Sequence, residues 1–296
     1  MKSDLTRLAM ITGDLAEQMD GYYDRFVEAF ASHEISIDPV HWTDESIEWA
    51  EFDGVLFRSC WEYPADRDRF KALLAELETI ALPVCNPLSV IRWNLHNSYL
   101  LELDAAGIPT PESVLIERGD CQSLSAIVDE QGWDDVVVKP AIGAMSSGIW
   151  RTSASTVAES EDRFTKLCSV SDVLVQKVVP EIVDGERSIV CFAGEYSHAW
   201  NSLTESDDIT SFDRHDPTYD PSPSIKTQAI DSLETAIEII GVDRGDIPYA
   251  RVDYVHRDDS IVLMELELIE PYLGLERSTG AIDRFAAAVV TYFRDE

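Results

Sequence analysis

Tyr249-Ala-Arg-Val-Asp253, followed by Met264-Glu-Leu-Glu-Leu-Ile-Glu-Pro271, forms the pair of segments with the strongest structural signal in this chain. Side chains alternate between the faces of a β-strand, so Arg251 and Asp253 share one face, and Glu265 and Glu267 share a face of the next strand. Three carboxylates that converge across two antiparallel strands make a poor core unless a cation neutralises them. Such oxygen ligands suit Mg²⁺ bound to nucleotide phosphates, and Arg251 is placed to stabilise charge on a transferred phosphoryl group. A solvent-exposed face of an acidic sheet is the alternative.

An upstream segment has the pattern of a buried strand that ends in a lysine and a glycine-rich loop. Val136-Val-Val-Lys139-Pro140 is followed by Gly143-Ala-Met-Ser146-Ser147-Gly148. The lysine places an ammonium group where a di- or triphosphate can be met, and the small residues let backbone N–H groups and hydroxyls close over the phosphates. A lysine that follows three valines is expected to be buried and to need an anionic partner. Taken alone, the segment also fits a solvated edge lysine before an ordinary turn.

A third segment has the pattern of a strand that runs into a short linker. It reads Leu174-Val-Gln176-Lys177-Val-Val179-Pro-Glu181, with Gly185-Glu186-Arg-Ser188 behind it. An adenine ring needs an apolar slot with one backbone donor and one acceptor, which such a linker supplies, and a nearby carboxylate can bind the ribose hydroxyls. An ordinary strand–turn–strand unit is the alternative.

The first 88 residues alternate strand and helix patterns. Apolar runs predict strands, and apolar residues at three-to-four spacing predict helices. The predicted strands are Leu8–Ile11, Ile35–Ile37, Val55–Phe57 and Pro83–Asn86, and the predicted helices span Tyr22–Phe30 and Phe70–Ile80. This alternation predicts a parallel sheet, and therefore a small α/β, Rossmann-like domain over residues 1–88. Because no G-x-G-x-x-G motif follows the first strand, dinucleotide binding there is poorly supported.

The rest of the chain is richer in strand patterns and is joined to the first domain by a helix predicted over Trp93–Gly107, where glycine and prolines stop it. Strands are predicted at Val136–Lys139, Ile149–Arg151, Leu174–Lys177, Arg187–Phe192, Tyr196–Trp200, Tyr249–Tyr254 and Ile261–Leu268. Two late helices carry apolar stripes over Ile230–Ile240 and Ile282–Phe293. Thr204–Ser224 has acids, prolines and serines without an apolar period, so a long mobile loop is expected there.

The charge of the chain limits its partners. Its 296 residues include 56 acidic and 23 basic ones, a formal net charge of −33. Such a field repels nucleic acids and anionic membranes, so neither is an expected partner. Dispersed carboxylates with only six lysines predict adaptation to high salt, where self-repulsion is screened; an ordinary acidic protein is the alternative.

The cysteines and the first residues bear on the compartment. Five scattered cysteines without a CxxC pair suggest neither disulfides nor zinc. The apolar run near the start is too short for a signal peptide or a membrane span, which predicts a cytoplasmic protein.

Taken together, the lysine strand, the glycine-rich loop, the linker strand and the acidic strand pair resemble the ATP-grasp superfamily, in that order along the chain. Within its glutathione-synthetase-like and ribosomal-protein glutamate ligase branch, the O-ureidoserine cyclo-ligase-like group is most similar. That similarity lies in Arg58-Ser-Cys-Trp61-Glu-Tyr63, Arg92-Trp-Asn94 and Met264–Pro271. The resemblance implies a Rossmann-like N-terminal domain followed by a two-lobed ATP-grasp fold, with a central lobe over 89–178 and a C-terminal lobe over 179–296. It also implies a reaction in which ATP converts a carboxylate to an acyl phosphate that an amine attacks.

The resemblance implies a role for each matching residue. Lys139 would contact the phosphates beneath a closing loop that contains Gly143, Ser146, Ser147 and Gly148. The adenine would be met by Gln176, Lys177 and Val179, and the ribose by Glu186. The metal, Mg²⁺ with Mn²⁺ as a substitute, would be held by Asp253, Glu265 and Glu267. Arg251 would stabilise the transition state, and Arg58 and Trp61 are candidates to line the substrate pocket, with aromatic packing as the alternative for Trp61.

Two departures from the family pattern leave the function open. Asn97 stands where relatives usually carry a phosphate-binding lysine, which removes a charge-assisted hydrogen bond of roughly 1.5–3 kcal/mol, and Asn201 stands where a basic residue is expected. The first hypothesis is a working ligase, monomeric or homodimeric, for a small carboxylate and an amine, one of them cationic or zwitterionic. The alternative is a catalytically impaired paralogue that binds nucleotide as a sensor or partner protein. A metal-binding domain without nucleotide is a third, weaker hypothesis.

Overall fold

The computed structural model describes residues 5–14, 21–120, 122–143, 147–203 and 214–295. Its first sheet is parallel, with the strand order β2-β1-β3-β4. The strands are β1 (Arg7–Thr12), β2 (Ser36–His41), β3 (Gly54–Phe57) and β4 (Val84–Cys85). Helix α1 (Tyr23–Ala31) packs on one face and α2 (Arg67–Thr79) on the other. Both faces are covered, which explains why β1 is a continuous apolar run instead of an alternating one, and the predicted α/β arrangement is confirmed.

The prediction of one continuous helix over Trp93–Gly107 is wrong. Two helices, α3 (Leu88–Asn94) and α4 (Tyr99–Ala105), flank a break. At the break the His96 ring lies 2.8 Å from Ser98 Oγ and accepts from Ser98 N, and Asn97 N donates to Ala141 O. Side-chain hydrogen bonds of this kind compete with helical ones. The break therefore presents Asn97 to the neighbouring lobe.

The second sheet is antiparallel, with the order β5-β8-β6-β7. Its strands are β5 (Ser113–Ile116), β6 (Asp135–Pro140), β7 (Trp150–Ser153) and β8 (Val173–Lys177). Helices α5 (Leu124–Gln131) and α6 (Val157–Val170) cover one face and share its core. These two helices and β5 were not predicted from the sequence. The opposite face of the sheet remains available to form one wall of a cleft.

The third sheet is also antiparallel, with the order β11-β10-β9-β12-β13. Its strands are β9 (Glu186–Phe192), β10 (Glu195–Leu203), β11 (Arg214–Asp216), β12 (Tyr249–Arg257) and β13 (Ser260–Glu267). Helix α7 (Pro223–Ile240) packs on one face. The loop predicted over Thr204–Ser224 is thus wrong at its end, because 214–216 pair with the free edge of β10 and Ser222 caps α7. Residues 204–213 of that prediction lie outside the described residues.

The last helix, α8 (Ala281–Asp295), joins the first and third sheets. Phe285 packs against Phe26 and Phe30 of α1 and against Tyr249 of β12 within one core. The C-terminal helix therefore completes the N-terminal layer, although it was predicted as part of the lobe over 179–296. Short 3₁₀ helices occur at Trp49–Glu51, Tyr63–Asp66, Pro180–Asp184, Arg244–Asp246 and Leu275–Arg277.

Cys60, Cys85, Cys168 and Cys191 are buried free thiols, and Cys121 lies outside the described residues. Among the residues that the structure describes, no helix is both long enough and apolar enough to span a bilayer.

Candidate active site

The two acidic segments meet because of the strand register. Asp253 lies directly opposite Glu265, and Arg251 lies opposite Glu267, in the antiparallel β12–β13 pair. On the other side of β12, Ser188 of β9 lies opposite Asp253. The β12–β13 register shifts just after Asp253, at an irregularity of the kind that re-aims side chains beside active sites. The predicted sharing of one sheet face by all four charged residues is therefore correct.

Arg251 is the electrostatic centre of this face. Its Nε lies 3.0 Å from each carboxylate oxygen of Asp253, and its Nη2 lies 2.5 Å from Glu267 Oε1. Asp253 is only 1% exposed and also accepts from Ser188 Oγ at 2.6 Å. Burial raises the pKa of Glu267 to about 7, with the charge of Arg251 opposing the rise. The guanidinium thus compensates a carboxylate pair that the protein interior would otherwise disfavour.

Lys139 reaches the same carboxylates from the second sheet. It is 5% exposed, and its Nζ lies 3.2 Å from Glu265 Oε1. The prediction that this lysine is buried and needs an anionic partner is confirmed. Because β6 and β13 belong to different sheets, the ion pair crosses the cleft between the two lobes. The phosphate contact of Lys139 remains a prediction.

The acidic residues fit a divalent cation. One ligand atom each from Asp253, Glu265 and Glu267 lies within 4.8 Å of the others. Glu186 lies close to this negative charge, because burial and the charges of Asp253 and Glu265 raise the pKa of its carboxyl well above the ordinary value and so favour its neutral form. Three carboxylates and the Glu186 carboxyl therefore face two cationic side chains, Lys139 and Arg251. This excess of hard oxygen ligands suits Mg²⁺, which binds through one or two carboxylates together with substrate phosphates.

A cavity of about 260 Å³ lies against these residues, between the lobes. Seven residues with predicted site roles line it: Trp61, Lys139, Gly143, Ser147, Arg251, Glu265 and Glu267. Asn97 also lines it, so the position at which relatives usually carry a lysine faces the cavity. Gly148 is at the loop end with φ +79°, a conformation that favours glycine. Ser146 lies outside the described residues.

The residues predicted to meet adenine and ribose do not line this cavity. Gln176 Nε2 donates to Ser113 Oγ at 2.9 Å, Lys177 pairs with Glu112 at 2.6 Å, and Val179 packs in a separate small core. Gln176 does share a sheet face with Lys139, since β6 and β8 place Val137 opposite Gln176 and Lys139 opposite Leu174. The nucleotide roles of these residues and of Glu186 remain predictions.

Of the two candidate substrate residues, Trp61 lines the cavity and Arg58 does not. The Arg58 side chain is 1% exposed and does not line the cavity; its Nη1 donates to Pro271 O at 2.8 Å, and its guanidinium lies over the Phe285 ring. Trp61 lines the cavity, and its Nε1 donates to Glu270 O at 2.8 Å. Both residues thus hold the backbone that follows β13. The predicted substrate role of Arg58 remains untested.

Three residues without a predicted role complete the site. Asn94 Nδ2 donates to Leu266 O at 2.6 Å, and its Oδ1 accepts from Leu268 N. The Tyr99 hydroxyl accepts from Leu266 N at 2.9 Å. These bonds hold the free edge of β13 and thereby position Glu265 and Glu267. Glu270 is the third residue, and it lines the cavity. In the sequence it could be noticed because it follows Glu265 and Glu267 as a further acidic residue, just before Pro271.

A lysine on one antiparallel sheet thus faces an acidic strand pair on another sheet across the cleft. The chain has the ATP-grasp fold. The family model for the N-terminal domain of D-cycloserine synthetase DcsG matches residues 8–86. The cycloserine biosynthesis protein DcsG of Streptomyces lavendulae is 29% identical over 299 residues, with 95% of this chain and 97% of that protein covered.

Solved structures agree with this assignment. The crystal structure of D-cycloserine synthetase DcsG superimposes with a TM-score of 0.86 at 26% identity, covering 97% of this chain and 99% of that one. The D-alanine–D-alanine ligase of Bacillus anthracis complexed with ATP superimposes with a TM-score of 0.71 at 16% identity, covering 98% of each chain. At that identity the second likeness concerns the fold alone.

Proposed function

We propose that this protein is a Mg·ATP-dependent ligase that activates the carboxylate of a small amino-acid-like substrate for attack by a nitrogen nucleophile, with ring closure as the favoured form. The observation that carries the proposal is the buried Lys139–Glu265 ion pair across the cleft, next to Asp253 and Glu267. Likeness to D-cycloserine synthetase over 97% of the chain supports both the nitrogen nucleophile and the cyclic product.

Each charged group has a task in this reaction. When nucleotide binds, the Lys139 ammonium would leave Glu265 and contact the phosphates, so that the Glu265 carboxylate becomes free to bind a cation. Asp253, Glu265 and Glu267 would then hold Mg²⁺, which supplies neutralisation of phosphate charge during transfer. Arg251 stands beside them to stabilise the transferred phosphoryl group, whose transition state spreads charge over its oxygens. The acyl phosphate that results carries a good leaving group, and attack by nitrogen releases phosphate and forms the C–N bond.

Calorimetric titration of Mg·ATP in molar KCl tests the nucleotide site. The wild type should bind saturably, and Lys139→Ala should bind at least about tenfold more weakly, because it loses a charge-assisted contact. Lys166→Ala, on the exposed side of α6, is the matched control and should bind like the wild type. Absence of binding in the wild type would refute the proposal.

A catalytically impaired paralogue is the second candidate, and Asn97 in the cavity wall favours it. An amide lacks the positive charge that a lysine gives to phosphate binding. A screen of carboxylates and amines for ADP release separates the candidates, since a sensor protein binds Mg·ATP without releasing ADP in response to any substrate. Asn97→Lys should tighten nucleotide binding in both cases.

We further propose a salt-rich cytoplasm as the working environment and Mn²⁺ as a substitute for Mg²⁺, in a protein that is monomeric or homodimeric. The net charge of −33 supports the salt requirement, because screening reduces self-repulsion. Thermal stability should therefore rise as KCl is raised to molar levels, and loss of the fold in molar KCl would contradict it. Mn²⁺-dependent ADP release and sedimentation equilibrium test the other two points.

A further inference from the structure

Glu270 is a buried acidic residue in the wall of the cavity. It is 5% exposed, and its Oε2 is buried with no hydrogen-bond partner. Two successive backbone carbonyls are held here, since Glu270 O accepts from Trp61 Nε1 and Pro271 O accepts from Arg58 Nη1. The side chain is therefore presented to the cavity by a restrained backbone.

Two of the cationic side chains around Glu270 are paired with other carboxylates. Lys139 pairs with Glu265, and the donors of Arg251 reach Asp253, Glu267 and the Tyr272 carbonyl. The third, Arg58, donates to Pro271 O and lies over the Phe285 ring, and its Nε is buried with no hydrogen-bond partner. Burial, and after it the charge of Glu267, raises the pKa of the Glu270 carboxyl well above the ordinary value, although Arg58 opposes the rise. Without a hydrogen-bonded cation the carboxyl therefore favours its neutral form, and a cation that binds there favours the charged carboxylate.

We propose, on the basis of the ligase function above, that Glu270 binds the α-ammonium group of an amino-acid substrate. An ammonium group supplies three donors and the missing positive charge. The aromatic side chains of Trp61, Tyr63 and Tyr272 line the same cavity and suit a small cation. Because the α-carbon joins the ammonium to the carboxylate, a residue that holds the former also positions the latter for activation. A substrate without the amino group leaves Glu270 unpaired, and the site selects against it.

The test compares amine-bearing probes with their counterparts that lack the amino group. The pairs are D- and L-alanine with propionate, D- and L-serine with 3-hydroxypropionate, and D-cycloserine with isoxazolidin-3-one, each titrated with and without Mg·ADP. The variants are Glu270→Gln and the matched Glu238→Gln, which removes an exposed carboxylate of α7. For at least one pair, wild type and Glu238→Gln should prefer the amine by about ten- to a hundredfold. Glu270→Gln should lose that preference.

Several outcomes would overturn the assignment. These are equal binding of both members of every pair to the wild type, an unchanged preference in Glu270→Gln, and no response of the wild type to any amine-bearing probe. A general-base role would lower turnover in Glu270→Gln but leave its equilibrium preference intact, and that result also counts against ammonium binding. Glu270→Gln preserves shape and removes an unpartnered buried carboxyl, so its thermal stability without substrate should equal or exceed that of the wild type.

The proposed function fails separately. If the wild type prefers amine-bearing probes through Glu270 but neither binds Mg·ATP nor releases ADP, the ammonium site stands and the ligase assignment falls. If the wild type releases ADP with an amino acid while Glu270→Gln keeps the amine preference, the ligase stands and the ammonium site falls.

Discussion

Two clusters in the described residues bring three ligand atoms within 4.8 Å of one another, and they differ in almost every other respect. The first, Asp253, Glu265 and Glu267, lies on two paired strands between the lobes. The second, Asp14, His41 and Glu62, lies at the carboxyl ends of the first three strands of the parallel sheet. We call them the strand cluster and the edge cluster.

The ligand atoms of the edge cluster are hydrogen-bonded or exposed. Glu62 Oε1 accepts from Trp42 Nε1 at 2.7 Å and from Asp14 N at 3.0 Å, and His41 Nε2 lies 3.1 Å from Asp14 Oδ1. The Asp14 side chain is 85% exposed. Glu62 Oε2 is buried without a partner, but water can solvate the Asp14 carboxylate, and the hydrogen bonds to Glu62 Oε1 stabilise its charge without a cation.

The strand cluster differs in the burial of its central carboxylate and in its charge partners. Asp253 is 1% exposed, while the Glu265 and Glu267 side chains are 35% and 33% exposed, and in the described residues Arg251 and Lys139 are the cations that pair with the three carboxylates. The difference teaches that close carboxylates do not by themselves indicate a metal site. Burial with an excess of negative charge does, because the electrostatic cost then favours a cation.

The largest effect expected is on catalysis. The double variant Asp253→Asn, Glu265→Gln should lower metal-dependent ADP formation at least about a hundredfold, since it removes two ligands of the cation that stabilises the transition state. The matched double variant Asp14→Asn, Glu62→Gln should leave ADP formation within about twofold, in line with a cluster that has no part in metal binding. Steady-state assays across a Mg²⁺ titration measure both. Equal losses in the two variants would erase the distinction between the clusters.

Arg251→Met should have the next largest effect, on stability. It strands Asp253 and Glu267 without a cation, and breaking a buried pair in this way costs about 3–5 kcal/mol of unfolding free energy. Arg257→Met, on the same strand, breaks an exposed pair with Glu181 and should cost about 0–1 kcal/mol. Urea denaturation of both variants gives the comparison. If Arg251→Met were as stable as Arg257→Met, the guanidinium would not be compensating buried charge.

Ser188→Ala should have an intermediate effect. It removes the hydroxyl that donates to Asp253 at 2.6 Å, and a buried charged acceptor left unsatisfied costs about 1–3 kcal/mol. The corresponding change in the edge cluster, Thr43→Ala, removes a neutral partner of a half-exposed histidine and should cost less than about 1 kcal/mol. Thermal denaturation of both variants decides whether burial sets the size of the effect.

The smallest expected effect concerns pH. His198 lies beside the loop that follows the strand cluster, and its Nε2 is 2.8 Å from Leu273 O. Burial lowers the pKa of His198 below the ordinary 6.5, so the unfolded chain takes up a proton before the folded chain does. Stability from the neutral ring is present above pH 6.5 and is lost as the pH falls through the folded-state pKa. Relative to His198→Gln, the wild type should therefore lose stability on acidification, as thermal melts between about pH 5 and 8 would measure. A constant difference between the two proteins would contradict this.

Much of the site could be predicted from local pattern. Alternation along β12 and β13 was enough to place Arg251, Asp253, Glu265 and Glu267 on one face, because a strand has a side-chain period of two. The three valines before Lys139 were enough to predict its burial. Glu270 belongs to the same acidic segment, but its role cannot be predicted from the pattern, because it follows the end of β13, where alternation no longer indicates which way a side chain points.

By itself, the sequence determined the order of elements, the parallel sheet at the start and the residues with the right chemistry on each strand. These follow from short-range periodicity, which is a property of neighbours along the chain. Only the tertiary structure decided that Lys139 meets Glu265, that the helix after Asn94 breaks to present Asn97, that β11 pairs with β10, and that Glu270 Oε2 is buried without a hydrogen-bond partner. Those outcomes depend on strand register and on packing between distant segments, where free energy is shared among groups that no local pattern connects.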